Sequence, residues 1–120
     1  MRIPALALLF ALLASPAPAA DAVPPRIQAS EAAQHIGETV TVVGVLTNVH
    51  MTAGKSVLWD IGGTYPDNPV TIYVSKHDTD VVPNVTPLIG KTLAITGLLK
   101  LYQGKPEIAV TDPKQVQVGQ

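Results

Sequence analysis

The sequence predicts an all-β domain: five strands closed into a small barrel, with a short N-terminal helix, after a cleaved signal peptide. Three observations carry this reading. Of the 101 residues that follow position 19, 33 are Val, Ile or Thr, and branched side chains favour strands over helices. Apolar residues alternate in five separate runs, each bounded by Gly, Pro, Asn or Asp, which is the period of a half-buried strand between turns. Two of the runs carry a glycine at their middle, Gly44 and Gly97, and a mid-strand glycine marks a bend or bulge.

Length and charge set the outer limits. The chain has 120 residues, 47% hydrophobic, no cysteine, and a formal net charge of −1. That length holds one domain. The missing cysteines exclude a disulfide framework, a Cys-ligated zinc, a thiol nucleophile and a lipidated N-terminal Cys. A near-zero charge argues against a strongly basic nucleic-acid clamp.

Residues 1–19 read as a signal peptide. Arg2 precedes an apolar stretch from Ala5 to Ala14, too short to span a bilayer. Ala17-Pro18-Ala19 then offers a small-x-small cleavage site, with Ala20 as the new N-terminus. Cleavage without Arg2 leaves seven basic and nine acidic residues, a charge of −2. The expected product is a mildly acidic periplasmic or secreted domain with no membrane segment, held by its core alone.

Residues 20–28 form an extended lead-in, because Pro24-Pro25 forbids helix. The stretch from Ser30 to Gly37 reads as a short helix, with Ser30 as N-cap, Glu31 at the positive helix start and Gly37 at C′. A first strand covers Glu38 to Met51. A second, Val57 to Ile61, puts Val57, Trp59 and Ile61 on one face. Gly62-Gly63 and Pro66-Asp67-Asn68-Pro69 are turn chemistry. The third strand, Val70 to Ser75, buries Val70, Ile72 and Val74. Residues 76–90 are a polar, proline-broken connector with room for one helical turn. The fourth strand, Lys91 to Tyr102, places Leu93, Ile95, Leu99 and Leu101 at core parity. After a hairpin turn at Gln103-Gly104-Lys105-Pro106, a fifth strand, Glu107 to Thr111, buries Ile108 and Val110. Val116 and Val118 can add a last short pairing. The pattern I-G-x-T-aliphatic-x-aliphatic-x-G-x-L occurs at Ile36–Leu46 and again at Ile89–Leu99. Long strands bent at such glycines can serve both halves of a barrel.

Five strands with a connector between the third and fourth give the order of an OB-fold. Three segments, Ala29-Ser30-Glu31-Ala32-Ala33 through Ile36-Gly37-Glu38, Gly62-Gly63-Thr64-Tyr65-Pro66-Asp67-Asn68, and Tyr102-Gln103-Gly104-Lys105-Pro106-Glu107-Ile108 with Asp112-Pro113-x-Gln115-Val116, resemble the tRNA-anticodon-like OB-fold nucleic-acid-binding family. The resemblance covers nearly all of residues 27–118, so residues 29–118 are expected to be the OB-fold domain. It implies a ligand face on the outside of the second and third strands, flanked by the loops at 52–56 and 102–106.

On that face parity turns Leu58, Asp60, Thr71 and Tyr73 outward, while Trp59 keeps core parity. Tyr73 and Tyr102 are the candidate stacking platforms for a base or sugar. Lys55, Lys100 and Lys105 are the candidate phosphate neutralisers. Three lysines release about three counterions, so binding to single-stranded nucleic acid should be weak and salt-sensitive. Asp60 and Asp67 oppose phosphate. The alternative is an adaptor that takes a protein segment, a glycan or a small ligand in the same groove. His77-Asp78-Thr79-Asp80 is too local for a metal site, since structural and catalytic metals need three or four placed ligands. Neither G-x-S-x-G nor H-E-x-x-H occurs, and Glu38 and Glu107 have no evident catalytic partner. The expectation is a binding protein that needs no cofactor and is not an enzyme.

Overall fold

The computed structural model describes residues 23–119; the signal peptide expected at 1–19 lies outside the described residues. The chain runs β1 (Arg26–Gln28), a 3-10 helix (Ala29–Gln34), β2 (Thr39–Met51), β3 (Val57–Ile61), β4 (Val70–Val74), a 3-10 turn (Thr86–Leu88), β5 (Thr92–Leu98), β6 (Lys100–Tyr102), β7 (Lys105–Ala109), a 3-10 turn (Pro113–Gln115) and β8 (Val116–Val118). It is all-β, as the branched residues and the alternation predict.

The strands form one sheet of eight, in the order β6-β7-β4-β3-β2-β5-β8, with β1 added to β2. The hydrogen-bonded path is open, where five strands in closed register were expected. The expected fourth strand is divided: β5 pairs with β2 and β8, β6 pairs with β7, and Leu99 alone separates them. Part of the expected lead-in is also a strand, because Arg26–Gln28 pairs in parallel with Thr41–Val43.

β2 is the long bent element. Residues 39–45 pair with β5, and β2 then pairs with β3 from Leu46 to Met51, with a register shift between Leu46 and Asn48. Gly44 stands just before this change of partner. A Cβ there would lie 2.7 Å from Ile61 Cγ2 and 2.9 Å from Ala29 Cβ, so only glycine lets β3 and the first helix come this close to β2. Gly97 does the same in β5, where a Cβ would lie 2.6 Å from Ile108 Cγ2.

Trp59, Leu46, Ile61, Ile72, Leu93, Ile95, Leu99 and Ile108 form the fully buried centre. Each such side chain contributes roughly 1.5–3 kcal/mol by leaving water. Leu101 departs from its expected core place and is 57% exposed. It sits on β6, an edge strand of three residues with β7 as its partner.

The N-terminal helix is 3-10, and its cap lies two residues earlier than expected. Gln28 is its N-cap, and the Gln28 N–H donates to Glu31 Oε1 at 2.9 Å. Ser30 therefore lies inside the helix and is not its cap. Glu31 does occupy the positive helix start. Gly37 has a left-handed φ of +91°, the conformation expected of it after a helix, although His35 is the C-cap.

Candidate functional site

Cross-strand partners share a face of the sheet, so the register builds the outer surface row by row. One row runs His50, Leu58, Tyr73, Ala109 across β2, β3, β4 and β7. The next runs Asn48, Asp60, Thr71, Glu107, Lys100 across β2, β3, β4, β7 and β6. Beyond it Lys105 faces Tyr102. These rows floor a groove of about 720 Å³, with Tyr65 and Tyr102 at its sides.

Five of the six residues singled out in the sequence meet in this groove: Leu58, Tyr73, Tyr102, Lys100 and Lys105. Lys55 does not. It belongs to a separate cleft, described below, and among the described residues only His50 borders both. Tyr73 is half-buried, with its hydroxyl 3.2 Å from Ser56 Oγ. That bond fixes the ring across the middle of the floor. Tyr102 stands at the rim and is 58% exposed. Trp59 lies in the core, 1% exposed, in agreement with its parity.

Lys105 is held in place. Its Nζ donates to the backbone carbonyls of Pro66 at 2.6 Å and Asn68 at 3.1 Å, and stands 6.0 Å from the centroid of the Tyr65 ring. The ammonium thereby anchors the 62–69 loop over one end of the groove.

The floor between the aromatic residues is acidic. Asp60 lies on the outer face, as parity predicts, yet is 1% exposed. Its carboxylate has His50 Nε2 and the Tyr65 N–H, each at 3.4 Å, both longer than a good charge-assisted bond. Glu107 is also buried, and among the described residues its carboxylate makes no hydrogen bond or ion pair within 4 Å. Burial pushes its pKa above the ordinary carboxylate range, and Lys100 across the strand pair partly offsets this.

Sequence reasoning turned Thr71 to this face and missed His50, Tyr65 and Glu107 as groove residues. Tyr65 could have been found as an aromatic in the Gly62–Asn68 turn; the burial of Glu107 follows from pairing at long range and left no local signal. Among the described residues no group of three or more His, Asp or Glu side chains gathers to hold a metal ion, and no helix is long and apolar enough to cross a membrane.

No family model matches this chain, and no curated protein matches it. Solved structures do. A protein assigned as an aspartyl-tRNA synthetase from Leishmania major Friedlin aligns over 88% of this chain with a TM-score of 0.53 and 10% identity. This chain spans 23% of that protein. The OBody AM1L10 bound to hen egg-white lysozyme is 16% identical over 72% of this chain and 83% of its own, with a TM-score of 0.49. A protein assigned as a nucleic-acid-binding lipoprotein from Klebsiella pneumoniae subsp. pneumoniae MGH 78578 is 17% identical over 77% of this chain and 79% of its own, with a TM-score of 0.48. The first likeness is one of fold, and the fold is OB-like.

Proposed function

We propose that this protein is an exported binding module, not an enzyme, whose groove on the outer face of β3, β4 and β7 takes single-stranded nucleic acid or nucleotides. In this reading β5 and β6 act as one bent strand that closes a five-stranded barrel, and the domain works in the periplasm or after secretion. The observation that carries the proposal is the placement of Tyr73. It lies half-buried between Leu58 and Ala109 in the row that crosses the groove, braced by Ser56, where a base can stack on it. Tyr102 and Lys100 supply a second ring and a cation on the same side.

The acidic row favours a second reading. Asp60 and Glu107 beneath the groove repel phosphate and would accept hydrogen bonds from hydroxyl or amino groups of a glycan, peptide or small ligand. Lys105 is already committed to two carbonyls, so fewer cations remain for phosphate.

A fluorescent single-stranded oligonucleotide, titrated at low and at physiological salt, separates the two. The first reading expects micromolar binding at low salt that weakens with added salt. Absence of binding at low salt overturns it in favour of the second.

A further inference from the structure

A second concavity, of about 560 Å³, opens where the hairpin between β2 and β3 meets the connector after β4. We propose that it is a distinct binding site for a small organic anion with an apolar body. Its floor is Val57, Trp59, Val74 and Val82, of which Trp59, Val74 and Val82 are 1%, 2% and 4% exposed. Lys55 and Lys76 are its charged edge.

The two lysines are brought together by one serine. Lys55 occupies the hairpin turn with a left-handed φ of 73°. The adjoining Ser56 accepts the Lys76 N–H at 3.3 Å through its hydroxyl. That contact ties the hairpin turn to the connector, and both lysines border the cleft. Neither ammonium has a hydrogen bond or ion pair within the described residues, in contrast to Lys105. Among the described residues no carboxylate lines this cleft; Asp78 and Asp80 belong to the same connector but stay outside it. A mostly apolar hollow of several hundred Å³ with a few polar groups on one side is the ordinary form of a small-molecule site. The sign of the charge selects an anion, and the apolar floor selects a ligand with hydrocarbon or aromatic bulk.

The chain contains one tryptophan, and it forms part of this floor, so its emission reports occupancy. The mature domain is titrated with octanoate, octanol and octylammonium, three probes that share one apolar body and differ in charge, with calorimetry on the same samples. The expected result is saturable octanoate binding with a shift in Trp59 emission, weaker octanol binding and no octylammonium binding. Lys55→Gln and Lys76→Gln should each weaken octanoate by up to about fivefold, the range of an exposed ion pair, and leave octanol unchanged. Equal affinity for the three probes, no saturable heat for octanoate, or lysine variants that bind octanoate like the parent would each overturn the assignment. The outcome is independent of whether the groove binds an oligonucleotide.

Discussion

Gly97→Ala is the substitution whose cost the structure defines most sharply. The new Cβ would stand 2.6 Å from Ile108 Cγ2 and 3.3 Å from Gln115 Nε2. Carbon atoms in contact prefer about 3.5–4.0 Å, so the first contact is short by roughly 1 Å. Ile108 is fully buried, and its Cγ2 branches directly from Cβ, so the methyl cannot swing clear without moving β7. Overpacking of this kind costs about 1–3 kcal/mol, and an immovable neighbour points to the upper part of that range. For a domain of this size each kcal/mol lowers the Tm by roughly 4–8 °C, so a fall of roughly 10–20 °C is expected. Gly54→Ala is the control, since its nearest neighbour would be Thr52 Oγ1 at 3.8 Å; its stability should stay within about 1 kcal/mol of the parent. Thermal melts test the first statement, and a double-mutant cycle with Ile108→Ala tests the cause. Ile108→Ala alone costs about 2–5 kcal/mol, but it removes the clashing methyl, so the double variant should be clearly less destabilised than the two singles added. A Gly97→Ala protein that melts with the parent, or strict additivity in the cycle, would refute the close-approach account of the bent strands.

The other predictions concern the groove. Glu107→Gln should stabilise the domain at neutral pH: a carboxyl whose folded pKa is raised gives full stability in acid and loses it as pH rises through the folded value, so the variant's advantage should vanish below the carboxylate range in urea melts. Lys105→Met removes the two bonds to the Pro66 and Asn68 carbonyls and should cost about 1–2 kcal/mol after allowance for solvent, with faster amide exchange across residues 64–69. Tyr73→Ala should weaken oligonucleotide binding by about 1–3 kcal/mol, whereas Tyr73→Phe, which keeps the ring and loses only the bond to Ser56, should stay near the parent.

The longer strands were legible because each carries its own local period. Val57, Trp59 and Ile61, then Val70, Ile72 and Val74, alternate with outward residues, and their ladder follows. Gly44 and Gly97 were readable as bends because a glycine amid branched residues needs a reason, although the partners that demand them, Ile61, Ala29 and Ile108, lie far away in sequence. β1 was not legible: three residues paired in parallel with β2 carry no period of their own. The short 3-10 helix took Gln28 over Ser30 as its cap because β1 and the burial of Ala29 and Ala32 set where it starts. Leu101 followed the parity of Leu99, but parity says nothing about an edge strand with no layer above it.

The groove was half legible for the same reason. Leu58, Tyr73, Lys100, Tyr102 and Lys105 come from strand faces and a hairpin turn, which sequence order exposes. Lys55 lies three positions before Leu58, but the hairpin turn at 52–56 carries it to the other cleft. Outward parity at Asp60 did not reveal its burial, which arises because the Tyr65 loop folds over one end of the row. The anchoring of that loop by Lys105 joins residues 37 and 39 positions apart, beyond any local pattern.

The central claim is that the outer face of β3, β4 and β7 is a ligand groove for single-stranded nucleic acid. Its most direct test is an amide chemical-shift titration of the protein with a short oligonucleotide at low salt. The account predicts shifts concentrated at Leu58, Thr71, Tyr73, Glu107 and Tyr102, which fade as salt is raised. Unchanged spectra, or shifts on β5 and β8 that leave the groove untouched, would contradict it.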